Sequence, residues 1–153
     1  ALPISIWGLR KINMAKTETA IVTEMRCGTL MPVALALSAL VLQGTFAVVD
    51  ASGYAISSED VGGVDQICLG IWDHSAENTG AAGDVVACVR RKQQFLVRNS
   101  STDPVTQAEF GSPIYIEDNQ TIAKTDGAGT RSLGGRFMGF DVENPEFVWV
   151  EIQ

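Results

Sequence analysis

Apolar residues in this chain come in short runs that glycine and polar residues interrupt. The runs cover residues 33–42, 45–49, 66–72, 85–90, 94–98, 114–117, 121–123, 136–140 and 147–152. Most are too short for a helix, and β-branched and aromatic residues are frequent in them, which favours strands. Turn-forming segments such as DASG and DNQ separate neighbouring runs. The pattern predicts about eight to ten short strands and almost no helix.

Such a succession of short strands is typical of an all-β protein. We therefore expect a small β-barrel or β-sandwich of short antiparallel strands. Residues 45–56 should form a hairpin, and residues 73–84 should form a long loop. Residues 104–109 should form one helical turn, with Asp103 as N-cap and Pro104 in the first position.

The start of the chain does not follow this pattern. Its apolar residues have no regular period and include Ile4, Ile6, Trp7 and Leu9. Pro3 and Gly8 would interrupt a helix there. We predict an extended N-terminal arm at residues 1–26 and a single β domain at residues 27–153. Such an arm would expose its apolar side chains unless a partner covered them.

The charge is acidic overall and unevenly placed. Eighteen acidic and 11 basic residues give a net charge of -7, which argues against a nucleic-acid partner. Residues 1–26 carry four basic and two acidic residues, so the arm is at +2 and the remainder at -9. Arg10 and Lys11 lie in the arm, and Arg90, Arg91 and Lys92 form a basic cluster in the body. That cluster is either a solvated strand end or a contact to an acidic partner surface.

The number and spacing of the cysteines indicate the cellular compartment in which the chain folds. The three cysteines, Cys27, Cys68 and Cys88, are odd in number and share no spacing, so no disulfide framework is predicted. We expect Cys68 and Cys88 to be buried thiols in a reducing cytoplasm.

Residues 30–49 are hydrophobic enough to suggest a membrane segment, but Pro32 and several polar residues interrupt them. The sequence therefore predicts a soluble protein with no membrane partner.

The glycine-rich stretch TDGAGTRSLGG, at residues 125–135, raises the question of a phosphate-binding loop. A Walker-type loop needs a Gly-Lys pair that opens a helix, and the chain contains no Gly-Lys pair. We therefore interpret Gly127, Gly129, Gly134 and Gly135 as positions that allow positive φ in a surface loop.

No other motif indicates catalysis. His74 is the single histidine, and no second histidine or cysteine pair completes a zinc site around it. The chain has no Gly-x-Ser-x-Gly nucleophile elbow. We expect His74 to be a solvated loop residue, the strand aromatics to be core or interface residues, and the protein not to be an enzyme. No catalytic residue, metal or cofactor is predicted.

Four segments in a fixed order carry a resemblance. They are GTFAVVDASGYAIS at residues 44–57, CLGIWDHSAENTGAAGDVVACVRRKQQFLVRNS at 68–100, DPVTQAEFGSPIYIEDNQTIAKT at 103–125 and RSLGGRFMGFDVENPEFVWVEI at 131–152. They run from a hairpin with a Ser-Gly-Tyr turn through an arginine-rich bend to phenylalanine-bearing strands. In this order they resemble the small capsid cement, or decoration, proteins of tailed phages.

The resemblance implies a structural virion protein on the outer surface of an icosahedral phage head, assembled in the host cytoplasm. Proteins of this kind stabilise the shell, often as homotrimers, and have no catalytic residues. The implied partners are the major capsid protein and further copies of the chain, as a trimer or a dimer. The predicted partner-binding residues are Ile4, Ile6, Trp7, Leu9, Arg10, Lys11, Arg90, Arg91 and Lys92.

Two alternatives stay open at this point. The first is a virion-displayed host- or glycan-binding module, which would present an exposed aromatic platform around Trp72 and His74. The second is a hydrolase with an unfamiliar site, in which a pocket would join His74 to a carboxylate.

Overall fold

The computed structural model describes residues 16–153 of the chain. Within these residues the fold has 11 strands and two short 3₁₀ turns, Ser58–Asp60 and Gln107–Glu109. The strands are β1 (Leu30–Ala34), β2 (Leu40–Val41), β3 (Phe46–Val49), β4 (Ile67–Trp72), β5 (Ala76–Glu77), β6 (Val86–Arg90), β7 (Gln93–Asn99), β8 (Pro113–Ile116), β9 (Thr121–Ala123), β10 (Leu133–Phe140) and β11 (Phe147–Ile152). The prediction of an all-β fold is confirmed.

The strands form a closed barrel and an open sheet. The barrel has the order β10-β11-β7-β9-β8, and the four-stranded sheet has the order β1-β6-β4-β3. Strands β2 and β5 form a small separate ladder. One barrel pair, β7 with β9, is parallel, whereas only antiparallel pairs were expected. The reason is geometric, because directions cannot alternate all the way around a closed ring of five strands.

Two hydrophobic cores share one strand as a wall. The side chains of Phe46 and Val48 belong to the barrel core, together with Phe137 and the isoleucines of β8 and β9. Ala47 and Val49, the alternate residues of the same strand, belong to a second core. All four residues of β3 are therefore buried, because successive side chains of a strand point to opposite faces.

Three local predictions need correction. The expected loop at residues 73–84 contains strand β5, which pairs with β2. The return of the predicted hairpin is not a strand, because Ala55 bridges to Val49 and also to Leu35. The helical turn is capped by Thr106, whose hydroxyl and backbone meet the Glu109 carboxylate, and Asp103 is not its N-cap.

The glycine-rich stretch divides into a loop and a strand. Gly127 and Gly129 have φ of 62° and 84°, as predicted for a surface loop. Gly134 and Gly135 lie inside β10, so their assignment to the loop was wrong. A Cβ on Gly135 would lie 2.5 Å from the carbonyl oxygen of Glu151. These two glycines therefore allow a close approach between strands, not positive φ.

Candidate interaction surface

A long exposed segment precedes the body of the protein. Residues 16–29, here called the connector, comprise the last part of the predicted arm and the three residues after it, and contain no strand or helix. Ile21, Val22 and Met25 are 61%, 96% and 94% exposed. Within the described chain, the hydrogen bonds of residues 16–26 stay within the connector itself. The six predicted partner-binding residues of the arm, Ile4, Ile6, Trp7, Leu9, Arg10 and Lys11, lie outside the described residues.

The connector reaches the body at the basic bend between β6 and β7. The carbonyl oxygen of Thr29 accepts a hydrogen bond from the backbone N–H of Arg91, at 3.0 Å. Gly28 lies against the ammonium group of Lys92. The backbone N–H of Lys92 in turn donates to the carbonyl oxygen of Ile152, at 2.8 Å. This bend therefore joins the connector, the open sheet and the barrel.

The three basic residues of the bend have different environments. Arg90 forms an ion pair with Asp73. Arg91 is half-buried, and its Nη1 donates to the sulfur of Met31 at 3.5 Å. Lys92 has φ of 61° and an exposed side chain that forms no ion pair with any carboxylate in residues 16–153. Among residues 16–153, neither Arg91 nor Lys92 has an ion-pair partner, and Lys92 is the one of the two with an exposed side chain.

An apolar groove lies beside this bend. It has a volume of about 360 Å³ and runs between the start of β4, the start of β10 and the end of β11. Its lining is mostly apolar and includes Ile67, Cys68, Leu133 and Ile152. Ile67 and Leu133 are 58% and 54% exposed. We call this feature the apolar groove.

Two charged residues, Arg136 and Glu151, also line the apolar groove. Arg136 donates a hydrogen bond to the carbonyl oxygen of Gly111 at 2.9 Å. Neither charged side chain forms an ion pair within the described part of the chain. Glu151 also borders a polar depression that Lys92 lines, so the groove and the bend are continuous on the surface.

One edge of β4 beside the groove is unpaired. Strand β3 pairs with β4 from Ile67 to Ile71. On the opposite edge, β6 pairs with Ile71 and Trp72 alone. Among the described residues, positions 67–69 therefore have no strand partner on that edge, and such an edge is a template for a further strand.

The cysteines differ in reactivity. Burial raises the pKa of the Cys68 thiol to about 12, so this thiol stays protonated and unreactive at neutral pH. Cys27 is exposed in the connector, and a hydrogen bond with the Thr29 hydroxyl at 2.9 Å lowers its pKa. Cys68 and Cys88 are both half-buried residues, so neither is as fully buried as expected.

His74 does not join a carboxylate pocket. Its Nε2 accepts a hydrogen bond from the backbone N–H of Cys88 at 3.2 Å, and its Nδ1 lies 3.3 Å from the carbonyl oxygen of Ser75. The two contacts fit a neutral ring with its proton on Nδ1. The neighbouring Asp73 is instead paired with Arg90. Within residues 16–153, no group of three histidine, cysteine, aspartate or glutamate side chains is placed to hold a metal ion.

The aromatic platform expected of a display module is not present at Trp72. This residue is 1% exposed and belongs to the second core. Its burial also agrees with the prediction that the strand aromatics are core or interface residues.

The glycine-rich loop is held by one arginine. The Nη1 of Arg131 lies 2.8 Å from Asp103 and 3.0 Å from the Thr125 carbonyl oxygen, and its Nη2 lies 3.4 Å from Glu117. The Thr125 hydroxyl donates to Asp103 at 2.6 Å. This bond, with the nearby arginine, lowers the pKa of Asp103. Arg131 is thus committed to carboxylates of its own chain, which disfavours a phosphate site here.

Comparisons of the chain with protein-family models, with curated proteins and with solved structures gave no match. In the described part of the chain, no helix has both the length and the apolar character needed to cross a bilayer.

Sequence reasoning missed the apolar groove. Its lining residues come mainly from four separate strands, β4, β8, β10 and β11, and the sequence does not show which edges and ends of these strands come together. The sequence predicts Leu133 within the glycine-rich loop, whereas in the structure it begins β10. The one signal in the sequence was the Gly134-Gly135 pair, since glycine inside a strand often marks a close backbone approach.

Proposed function

We propose that this chain is a capsid decoration, or cement, protein that binds the outer surface of an icosahedral phage head and stabilises the shell. The resemblance of residues 43–152 to cement proteins motivates the proposal. The observation that carries it is the exposed connector, which joins an apolar, basic arm to a body whose cores are already filled. An exposed apolar segment of this kind needs a covering surface.

The physical task of a cement protein needs no chemistry. A ligand that binds only the assembled shell stabilises that shell by mass action. The body supplies a rigid scaffold, because two packed cores share strand β3. The arm would supply adhesion by ordering on a partner and burying apolar side chains, as segments that fold on binding do. The partners are the major capsid protein and neighbouring copies of this chain, as a homotrimer or a dimer.

Chromatography with light scattering tests the proposal directly. The purified protein is run alone and after mixing with empty, expanded capsids. We expect co-elution with the shell at a fixed high copy number, and a higher melting temperature of the decorated shell. A protein that remains free at every ratio would contradict the proposal and direct attention to glycan arrays and the display-module alternative.

Deletion of residues 1–13 tests the role of the arm. We expect lower capsid occupancy and an unchanged far-UV circular dichroism spectrum, because the deleted residues precede both cores. Unchanged occupancy after the deletion would show that the arm does not mediate adhesion.

A further inference from the structure

We infer that the apolar groove receives the N-terminal arm of a second copy of this chain, at residues 3–9. This inference deepens the proposed function and rests on that function, because both treat the arm as a binding element. It selects one of the two arm partners, the neighbouring copy, and it names the surface that receives the arm.

The groove has the size and character of a binding site. Its volume of about 360 Å³ is at the lower end of the range for small-ligand pockets, and its lining is mostly apolar. Ile67 and Leu133 line it and are each more than half exposed. Two large apolar side chains on one concavity are placed to contact an apolar partner. The arm offers Ile4, Ile6, Trp7 and Leu9 within one short segment.

The backbone beside the groove fits an extended peptide. Residues 67–69 of β4 have no strand partner on one edge within the described chain. An extended segment that adds to such an edge gains main-chain hydrogen bonds, while alternate side chains enter neighbouring pockets. Residues 3–9 contain Pro3 and Gly8, which disfavour a helix, and two alternating apolar residues, Ile4 and Ile6.

The charged residues of the groove do not select its occupant. Glu151 lines the groove and has no ion-pair partner among residues 16–153. In the arm, Arg10 and Lys11 directly follow the apolar segment. Arg136 also lines the groove without an ion pair among residues 16–153, so the two positive charges of the arm would meet one negative and one positive side chain.

The connector favours a second copy over the chain's own arm. It enters the body at Thr29, whose carbonyl oxygen is bonded to the basic bend that borders the polar depression beside the groove. Residues 16–26 make no hydrogen bond to their own body, and Ile21, Val22 and Met25 stay exposed. The 20 residues from Leu9 to Thr29 span up to about 70 Å when extended, which is enough to reach a neighbour.

An arm that docks into the next subunit makes a head-to-tail contact. Such contacts close into rings when the rotation between subunits permits it. A ring of three copies is the cyclic form of the proposed homotrimer.

Complementation between full-length variants tests the inference. Leu133→Asp places a charge in the groove, and Trp7→Asp places one in the arm. The matched control is Leu37→Asp, because Leu37 is 67% exposed but does not line the groove. Self-association of each protein is followed by sedimentation equilibrium over a wide concentration range.

We expect the wild-type chain to self-associate, and either variant to raise the dissociation constant about tenfold or more, which corresponds to about 1.4 kcal/mol. Leu37→Asp should associate as the wild type does. An equimolar mixture of Leu133→Asp and Trp7→Asp should form dimers, because one intact arm then meets one intact groove.

Several outcomes would overturn the inference. These are a wild-type chain that is monomeric at all concentrations, a groove variant that associates normally, and a mixture that fails to form dimers. Circular dichroism confirms that each variant is folded, and Ile67→Asp replaces Leu133→Asp if the latter is not.

Capsid co-elution, measured in parallel, separates this inference from the proposed function. Normal association of Leu133→Asp together with wild-type capsid binding would overturn the groove assignment alone. Successful complementation without any capsid binding would overturn the cement proposal alone.

Discussion

At the scale of single residues, Gly135 shows why a glycine can be required without positive φ. A Cβ at this position would lie 2.5 Å from the Glu151 carbonyl oxygen and 2.7 Å from a methyl group of Val150. Both neighbours belong to β11, which is paired with β10, so neither can move without disturbing the barrel.

Gly135→Ala should lower the free energy of unfolding by about 1–3 kcal/mol, the usual cost of overpacking. Urea denaturation measures the change. Gly28→Ala is the control, because its added Cβ would meet only the flexible end of Lys92. Equal stability of the two variants would contradict this account of Gly135.

The cysteines provide a second test at this scale. Cys27 has a lowered pKa, so at a given pH more of it is thiolate than of an ordinary cysteine. Cys68 has a pKa of about 12, so only about one thiol in 10⁵ is ionised at pH 7. We expect a disulfide reagent to modify Cys27 first and Cys68 only after unfolding. The Cys27→Ser variant should lose the fast phase, and rapid modification of Cys68 in the native protein would contradict the assignment.

At the scale of elements, the glycine-rich loop depends on Arg131. This side chain is 17% exposed and meets two carboxylates, Asp103 and Glu117. Arg131→Met should reduce the free energy of unfolding at pH 7 by about 1–3 kcal/mol, because hydrogen bonds to charged groups are lost. Lys124→Met should lower the free energy of unfolding by less than about 1 kcal/mol. The Lys124 side chain is 45% exposed, and its Nζ lies 3.5 Å from Oε1 of Glu109.

The same loop should respond to pH. The folded-state pKa of Asp103 is lowered, so its contribution to stability is present above the unfolded value of about 3.9 and is lost as the pH falls through the folded value. The Thr125 hydroxyl, which remains in Arg131→Met, is the main cause of the lowered pKa and Arg131 is a smaller one, so the stability difference between the wild type and Arg131→Met should narrow in part below about pH 4. A difference that stays constant down to pH 2 would exclude Asp103 as the responsible partner.

The predicted and observed strands, taken together, show which parts of the fold can be recognised from the sequence. Hydrophobic runs bounded by turns located most strands, because strand burial leaves a local signature. Strand β5 was missed, since two residues, Ala76 and Glu77, carry no pattern and pair only because β2 lies beside them. The apolar groove was missed for the same reason, because it depends on which strand edges remain unpaired. That information arises only from the closed barrel and its packing on β4.

At the scale of the whole molecule, the shared strand β3 should make the two cores unfold together. Val48 packs in the barrel core and Val89 in the second core. Val48→Ala and Val89→Ala should each lower the free energy of unfolding by about 1–3 kcal/mol and shift one common transition. Tryptophan fluorescence and far-UV circular dichroism, followed through a urea titration, should give coincident curves. Two separate transitions would show that the cores are independent.

The closed ring of five barrel strands affects how copies of this chain behave when they are packed closely together. Each barrel strand has a neighbour on both sides, so the ring has no first or last strand. Sheet growth from one molecule into the next, which produces cross-β fibres, needs an open strand edge as its template. Copies of this chain held side by side can therefore be crowded without their barrels fusing into a continuous sheet.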